Sequence, residues 1–218
     1  FCGTVHVAAT REQALRTALE IQSFTGNAST IQLALWCDGS HEMRDNTGGY
    51  AVVGKRPLLK KKREEVVAGG WPATPIGSST VAEALAIAQS IVEGIEHVTK
   101  FDQDIASEKN KGKRGAVRIS LKILSDCRGL VDSIRRGNFT KPLRMVGLEI
   151  LKQAESFEET FRGLSQQPER HIIVDKLALH WVPGHEPRLP LHQQADKLAG
   201  DCRWAGKPML RLNGREAP

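Results

Sequence analysis

Four carboxylic acids occur in this chain where a strand ends or a helix begins. Asp38 closes the apolar run from Ile31 to Cys37 and opens Asp38-Gly39-Ser40, and Asp126 closes the run from Val117 to Ser125 in the same way. Glu83 and Asp196 each fall in the first turns of an amphipathic helical stretch. Carboxylates gathered at one end of a sheet repel one another unless a hard cation neutralises them. The chemistry this suits is phosphodiester hydrolysis at two divalent ions about 4 Å apart, bridged by shared carboxylates, which orient an attacking water and stabilise the leaving oxygen. Oxygen donors favour Mg²⁺, with Mn²⁺ as a substitute, and no His/Cys cluster of zinc spacing competes for the role.

Each acid also has an ordinary local reading. Asp38-Gly39 is a hairpin-turn dipeptide. Thr80-x-x-Glu83 fits a capping box, Asp126 suits the N-cap of the helix that follows it, and Asp196 beside Lys197 suits a solvated helix charge. Their joint placement points to a site. With strands one and four as parallel neighbours, Asp38 and Asp126 share the carboxyl edge where open α/β sheets bind ligands. Glu83, early in a helix packed on that sheet, can point at the same spot, and Asp196 can close the fourth side.

The elements that would position these acids follow from patterning. Thr10-x-x-Gln13 caps a helix carrying Ala14, Leu15, Ala18, Leu19 and Ile21 at helical spacing. Strands are expected at 31–38, 48–55 and 64–68, with Lys60-Lys61-Lys62-Arg63 as a hairpin tip. Val81, Ala84, Leu85, Ala88, Ile91, Val92 and Ile95 form one apolar helical stripe. Residues 99–115, polar and rich in Gly and Lys, read as an exposed insertion. A strand at 116–125, a short helix from Gly129 to Arg136, a longer helix from about Pro142, a strand from His171 to Val182 and a last helix through Ala195, Leu198, Ala199 and Cys202 complete the order. The expected fold class is α/β: a five-stranded mixed sheet, three antiparallel strands and then two parallel, flanked by helices. The expected organisation is a helical extension over 1–30, one α/β domain over 31–205 and a basic tail over 206–218.

At 218 residues the chain is long enough for one sizeable core and short for two. A net charge of +6 around an acidic site implies that basic groups crowd elsewhere, as a phosphate-binding surface needs. Cys2, Cys37, Cys127 and Cys202 form no C-x-x-C pair and no disulfide framework. Reduced thiols are expected, in an intracellular protein, nuclear or cytoplasmic. Apolar runs fall short of the roughly 18 residues that span a membrane, so no membrane partner is expected. The chain opens on Phe1 rather than Met, the expectation being a processed chain or a piece of a longer one. Oligomeric state is not legible.

Cys37-Asp38-Gly39-Ser40, Ala82-Glu83-Ala84-Leu85-Ala86 and Leu124-Ser125-Asp126-Cys127 resemble three motifs of the type 1 ribonuclease H family. Trp181-Val182-Pro183-Gly184-His185 with Ala195-Asp196-Lys197-Leu198-Ala199 resembles its tail. The resemblance runs from about 31 to 205, is most specific in that tail, and has a fungal or retroelement-related flavour. It implies the ribonuclease H-like fold and cleavage of the RNA strand of RNA–DNA hybrids, giving 5′-phosphate products. It also implies that Asp38, Glu83, Asp126 and Asp196 hold two Mg²⁺ ions and that His185 assists proton transfer or product release.

Three departures accompany the resemblance. His192 stands where the family usually has Asn, and the stretch from His185 to Asp196 is one residue longer. Ser79 and Thr80 replace an Asn pair, and Cys127 and Arg128 follow Asp126 in place of Ser and an amide. These bear on substrate preference and rate more than on metal binding. Expected nucleic-acid contacts are Gly39, Ser40, Ser79, Thr80, Arg128 and the basic tip Lys60, Lys61, Lys62 and Arg63, the hybrid being the partner. The rival expectation is a nucleic-acid-binding or interaction module of this fold, with turnover weakened at the altered loop around His192.

Overall fold

The computed structural model describes residues 1–24, 29–58, 63–73, 75–108, 117–165, 172–212 and 215–216. Among the described residues, nine strands form one mixed sheet: β1 (Thr4–His6), β2 (Thr30–Glu42), β3 (Thr47–Leu58), β4 (Arg63–Ala73), β5 (Val117–Ser125), β6 (Ile172–Val174), β7 (Ala178–Trp181), β8 (Met209–Leu212) and β9 (Arg215–Glu216). The helices are α1 (Arg11–Ser23), α2 (Ser79–Glu108), α3 (Arg128–Arg136), α4 (Arg144–Ser165) and α5 (Pro190–Ala205). The strand order is β1-β7-β5-β2-β3-β4-β8-β9, with β6 also paired to β5. At its centre lie the five strands expected from the sequence, β2–β4 as an antiparallel meander with β5 and β7 parallel beside them.

The middle of β2 is buried on both faces because both faces of the sheet are covered there. Ile31, Leu33 and Leu35 of β2 pack with α2, α3 and α4 on one side. Ala34 and Trp36 pack with Leu15, Ala18 and Ile21 of α1 and Leu191 and Ala195 of α5 on the other. Register then aligns the acids. Trp36 of β2 pairs in parallel with Leu124 of β5, so Asp38 and Asp126 each stand two residues beyond the same rung.

Several expectations give way to the structure. The insertion expected from residue 99 begins later, because α2 continues to Glu108 and buries Val98, Phe101 and Ile105 along the same stripe. Charged residues on the opposite face disguised that extension; residues 109–116 lie outside the described ones. The strand expected from His171 to Val182 is two strands. β6 pairs with the start of β5 and β7 with its end, and Asp175 turns aside to pair with Arg118 at 3.8 Å. Residues 1–10 contribute β1, which extends the sheet beside β7, and residues 209–212 form β8 on the edge of β4. The Lys60-Lys61-Lys62 tip lies outside the described residues. Among the described residues, no helix is long and apolar enough to cross a membrane.

Candidate functional site

None of the three helix-and-turn explanations for the first three acids holds. Asp38-Gly39 lies within β2, paired to Ala51 and Tyr50, while the turn of that hairpin falls at 43–46. The cap of α2 is Ser78, whose Oγ accepts the Val81 N–H at 3.3 Å. Glu83 instead accepts a hydrogen bond from the Gly39 N–H across the gap between helix and strand. That gap exists because residue 39 is glycine: a Cβ there would overlap the backbone of Ala82 and Glu83. The α3 cap position is Cys127, with no side-chain cap, so the Asp126 carboxylate is spared for the site.

The four acids converge. Asp38 and Glu83 are buried, 6% and 8% exposed. Burial, then repulsion by Glu83, Asp126 and Asp196, pushes the Asp38 carboxyl up to about 10; it also shares a hydrogen bond with the Asp196 carboxyl. Burial, then repulsion by Asp126, pushes Glu83 up to about 8 against the Gly39 bond. Asp196, on α5, is half exposed at the mouth of the cluster. Asp196, whose ordinary reading is a solvated helix charge, faces Asp38 as a member of the group.

His192 sits deepest. It lies one helical turn before Asp196 on α5 and is 3% exposed, with its ring edge-on to Trp36 at 6.4 Å. Its Nε2 is 3.9 Å from Asp38 Oδ1 and 3.9 Å from Asp126 Oδ2. These distances exceed a hydrogen bond, and the nitrogen is buried without a partner among the described residues, as is Glu83 Oε2. Burial lowers the His192 pKa, against the pull of Asp126 and Asp196. One donor atom each from Asp38, Asp126 and His192 lies within 4.8 Å of the other two. The sequence marked His192 only as a departure from a pattern. The signal for more was its i,i+4 spacing to Asp196, which puts both side chains on one helical face.

The loop between β7 and α5 closes the site. His185 takes a left-handed backbone (φ 50°), and its exposed ring places Nδ1 4.0 Å from Asp196 Oδ2. A non-glycine residue in that region carries strain of order 1–3 kcal/mol, tolerated where the surroundings hold it. They do so here. A Cβ on Gly184 would run into Asp126 Oδ2, so this turn lies directly against the carboxylate. Arg11 of α1 donates to the Gly184 carbonyl at 3.2 Å and faces Glu186 at 4.0 Å, and Gln22 donates to the Arg188 carbonyl at 3.1 Å. Glu186 and Arg188 are themselves paired at 2.7 Å. α1, a packing element in the sequence, is thus the brace of the His185 loop.

Of the residues expected to contact nucleic acid, Gly39 and Ser40 lie in β2 beside Glu83, and Ser79 and Thr80 open α2 within a turn of it. Arg128 stacks on Trp181, 4.7 Å from the ring centroid, and the indole N–H donates to the Asp126 carbonyl at 3.1 Å. Arg63 is elsewhere. It pairs with Leu58, seven residues along β3 from the Ala51 that faces Asp38, roughly 23 Å at 3.3 Å per residue.

No family model and no curated protein matches the chain. Two solved structures align with it over most of their length. One is the N-terminal RNase H domain of a Mycobacterium tuberculosis protein, determined as a fusion with maltose-binding protein: 16% identical, TM-score 0.47, covering 80% of this chain and 95% of that one. The other is RNase H1 from the halophilic archaeon Halobacterium salinarum: 14% identical, TM-score 0.46, covering 78% and 96%. At such values the chemistry of the site has to stand on the geometry of its own residues.

Proposed function

We propose that this chain is a divalent-metal-dependent endoribonuclease that hydrolyses the RNA strand of RNA–DNA hybrids and leaves 5′-phosphate ends. The observation that carries this reading is the convergence of Asp38 in β2, Glu83 in α2, Asp126 just past the end of β5 and Asp196 in α5. Two of these acids are buried and mutually repelling, and two buried polar atoms, Glu83 Oε2 and His192 Nε2, lack partners. A divalent cation answers both deficits, since it neutralises the carboxylates and accepts their lone pairs. Asp38, Glu83, Asp126 and Asp196 would hold two Mg²⁺ or Mn²⁺ ions. When bound, such ions supply the positive charge that eases deprotonation of a water near neutral pH and stabilises the departing oxygen.

The chain's own residues do the rest. Gly39 N–H fixes the Glu83 carboxylate, and the Gly184 turn fixes that of Asp126. His185, exposed beside Asp196, carries a proton to the leaving 3′-oxygen or away with the product. The hydroxyls of Ser40, Ser79 and Thr80 can donate to and accept from a ribose 2′-hydroxyl, which separates an RNA strand from DNA. Arg128, held flat on Trp181, offers a cation to the phosphate backbone.

The test is cleavage of a labelled RNA–DNA hybrid with Mg²⁺, run beside Asp126→Asn. Product from the unaltered chain and loss of at least a hundredfold in the variant are expected; equal product from both sinks the mechanism. His192 between the two aspartates favours a second reading, a hybrid-binding module of weakened turnover. Tight, salt-sensitive binding without cleavage would select it.

A further inference from the structure

A buried nitrogen that meets no hydrogen-bond partner costs stability, and His192 is held in that condition. Its backbone is fixed in the first turn of α5, where its N–H donates to the Leu189 carbonyl at 3.1 Å. Trp36 closes one side of its ring. The side chain therefore presents Nε2 to the space it shares with Asp38 Oδ1 and Asp126 Oδ2, at 3.9 Å from each. No direct bond spans those gaps. Donor–ion bonds of about 2.1 Å, by contrast, allow two ligands of one ion to stand up to about 4.2 Å apart. One donor atom each of Asp38, Asp126 and His192 lies within 4.8 Å of the other two, and the third wall of that space is nitrogen.

We propose that His192 Nε2 is a ligand of the divalent ion held between Asp38 and Asp126, and that this nitrogen turns the centre toward borderline first-row ions such as Co²⁺, Ni²⁺ and Zn²⁺ and away from Mg²⁺. The inference rests on the reading that the acids hold divalent cations; what it adds is the donor and the preference. Mg²⁺ asks for an oxygen shell and dehydrates reluctantly, whereas imidazole suits the later first-row ions. An amide at position 192 would offer the ion an oxygen and leave Mg²⁺ at no disadvantage. A histidine offers only nitrogen. Within the series, affinity should climb from Mn²⁺ to Co²⁺ to Ni²⁺, more steeply with the imidazole than without it.

The experiment is calorimetric titration of the metal-free chain with Co²⁺ and, separately, with Mg²⁺, for the unaltered chain, His192→Asn, His192→Gln and Asp126→Asn. Pulsed EPR on the Mn²⁺-loaded chain, with His185→Ala as a control for the other nearby imidazole, reads directly whether a nitrogen is bound. Expected are a loss of tenfold or more in Co²⁺ affinity in both His192 variants, Mg²⁺ affinity held within about threefold, and a ¹⁴N coupling that survives His185→Ala and vanishes in His192→Asn. Equal factors for Co²⁺ and Mg²⁺, or no ¹⁴N coupling in the unaltered chain, overturns the role of His192 while leaving the acid site standing. If Asp126→Asn binds both ions as well as the unaltered chain does, the acids are not the metal site and both readings fall. If the His192 variants do not fold, the His185→Ala protein decides the matter: a ¹⁴N coupling that persists there supports His192 as the ligand, and one that vanishes there overturns it.

Discussion

Replacing Asp38 by a side chain that cannot ionise should stabilise the metal-free chain relative to the unaltered one, and by an amount that grows with pH. Asp38 is pushed from an ordinary carboxylate value up to about 10 by burial and by Glu83, Asp126 and Asp196. Between about pH 5 and pH 9 the folded chain therefore keeps a proton on Asp38 that the unfolded chain releases. A raised folded-state pKa gives stability that is complete below the unfolded value and lost as pH climbs to the folded one. The slope is about 1.4 kcal/mol per pH unit for one proton. Asp38→Asn is neutral at every pH, so its advantage over the unaltered chain widens by that amount per unit. For a chain of this length that is about 3–5 °C in melting temperature per pH unit. Buried histidines would blur an absolute profile: His180 is pushed down to about 3 and His192 is lowered, so both raise stability as pH climbs to about 6.5. The difference between the two proteins cancels them. The assay is thermal unfolding in EDTA at pH 6.5, 7.5 and 8.5. Parallel profiles for the two proteins, or a gap that narrows with pH, would refute the claim that Asp38 is held protonated by its neighbours.

Other outcomes follow from the same geometry. Gly184→Ala drives a methyl into the Asp126 carboxylate, which can swing away; hybrid cleavage should fall about tenfold to a hundredfold with the melting temperature held within 2–4 °C, about 1 kcal/mol, and unchanged kinetics would count against the packing described. Gly39→Ala meets backbone instead, and should cost about 1–3 kcal/mol or more in urea unfolding. Arg11→Ala frees the His185 loop from α1. It should change stability by under about 1 kcal/mol, as exposed pairs do, yet slow cleavage about 3- to 10-fold, short of the hundredfold that a 1 Å misplacement brings; equal rates would mean that α1 does not brace the loop.

The legible parts of this chain were those written in local pattern. Alternation and apolar runs marked the central strands, and the parallel pairing of β2 with β5 placed Asp38 and Asp126 side by side. What stayed hidden depends on contacts between distant residues. β1 and β8, of three and four residues, belong to the sheet through their partners and are too short to read as strands without them. Residues 99–108 looked like a loop because the apolar residues α2 buries there, Phe101 and Ile105, stand among charged and polar ones, and one of those, Asp102, is buried with them. Conversely, Asp38-Gly39 carries a strong turn signal that sheet pairing overrides, and Thr80 yields the cap to Ser78 because the helix starts earlier than its hydrophobic stripe.

The brace on the His185 loop joins residues 173 apart in Arg11 to Gly184 and 166 apart in Gln22 to Arg188, and β1 docks on β7 across a similar span. Contacts so remote in sequence close late, since the entropy of a long loop must be lost before they give anything back. The meander and its helices can be complete while the loop beside Asp196 is still loose. During synthesis, α1 emerges ahead of the meander and waits for residues 184–188 to follow before it meets the groups it holds.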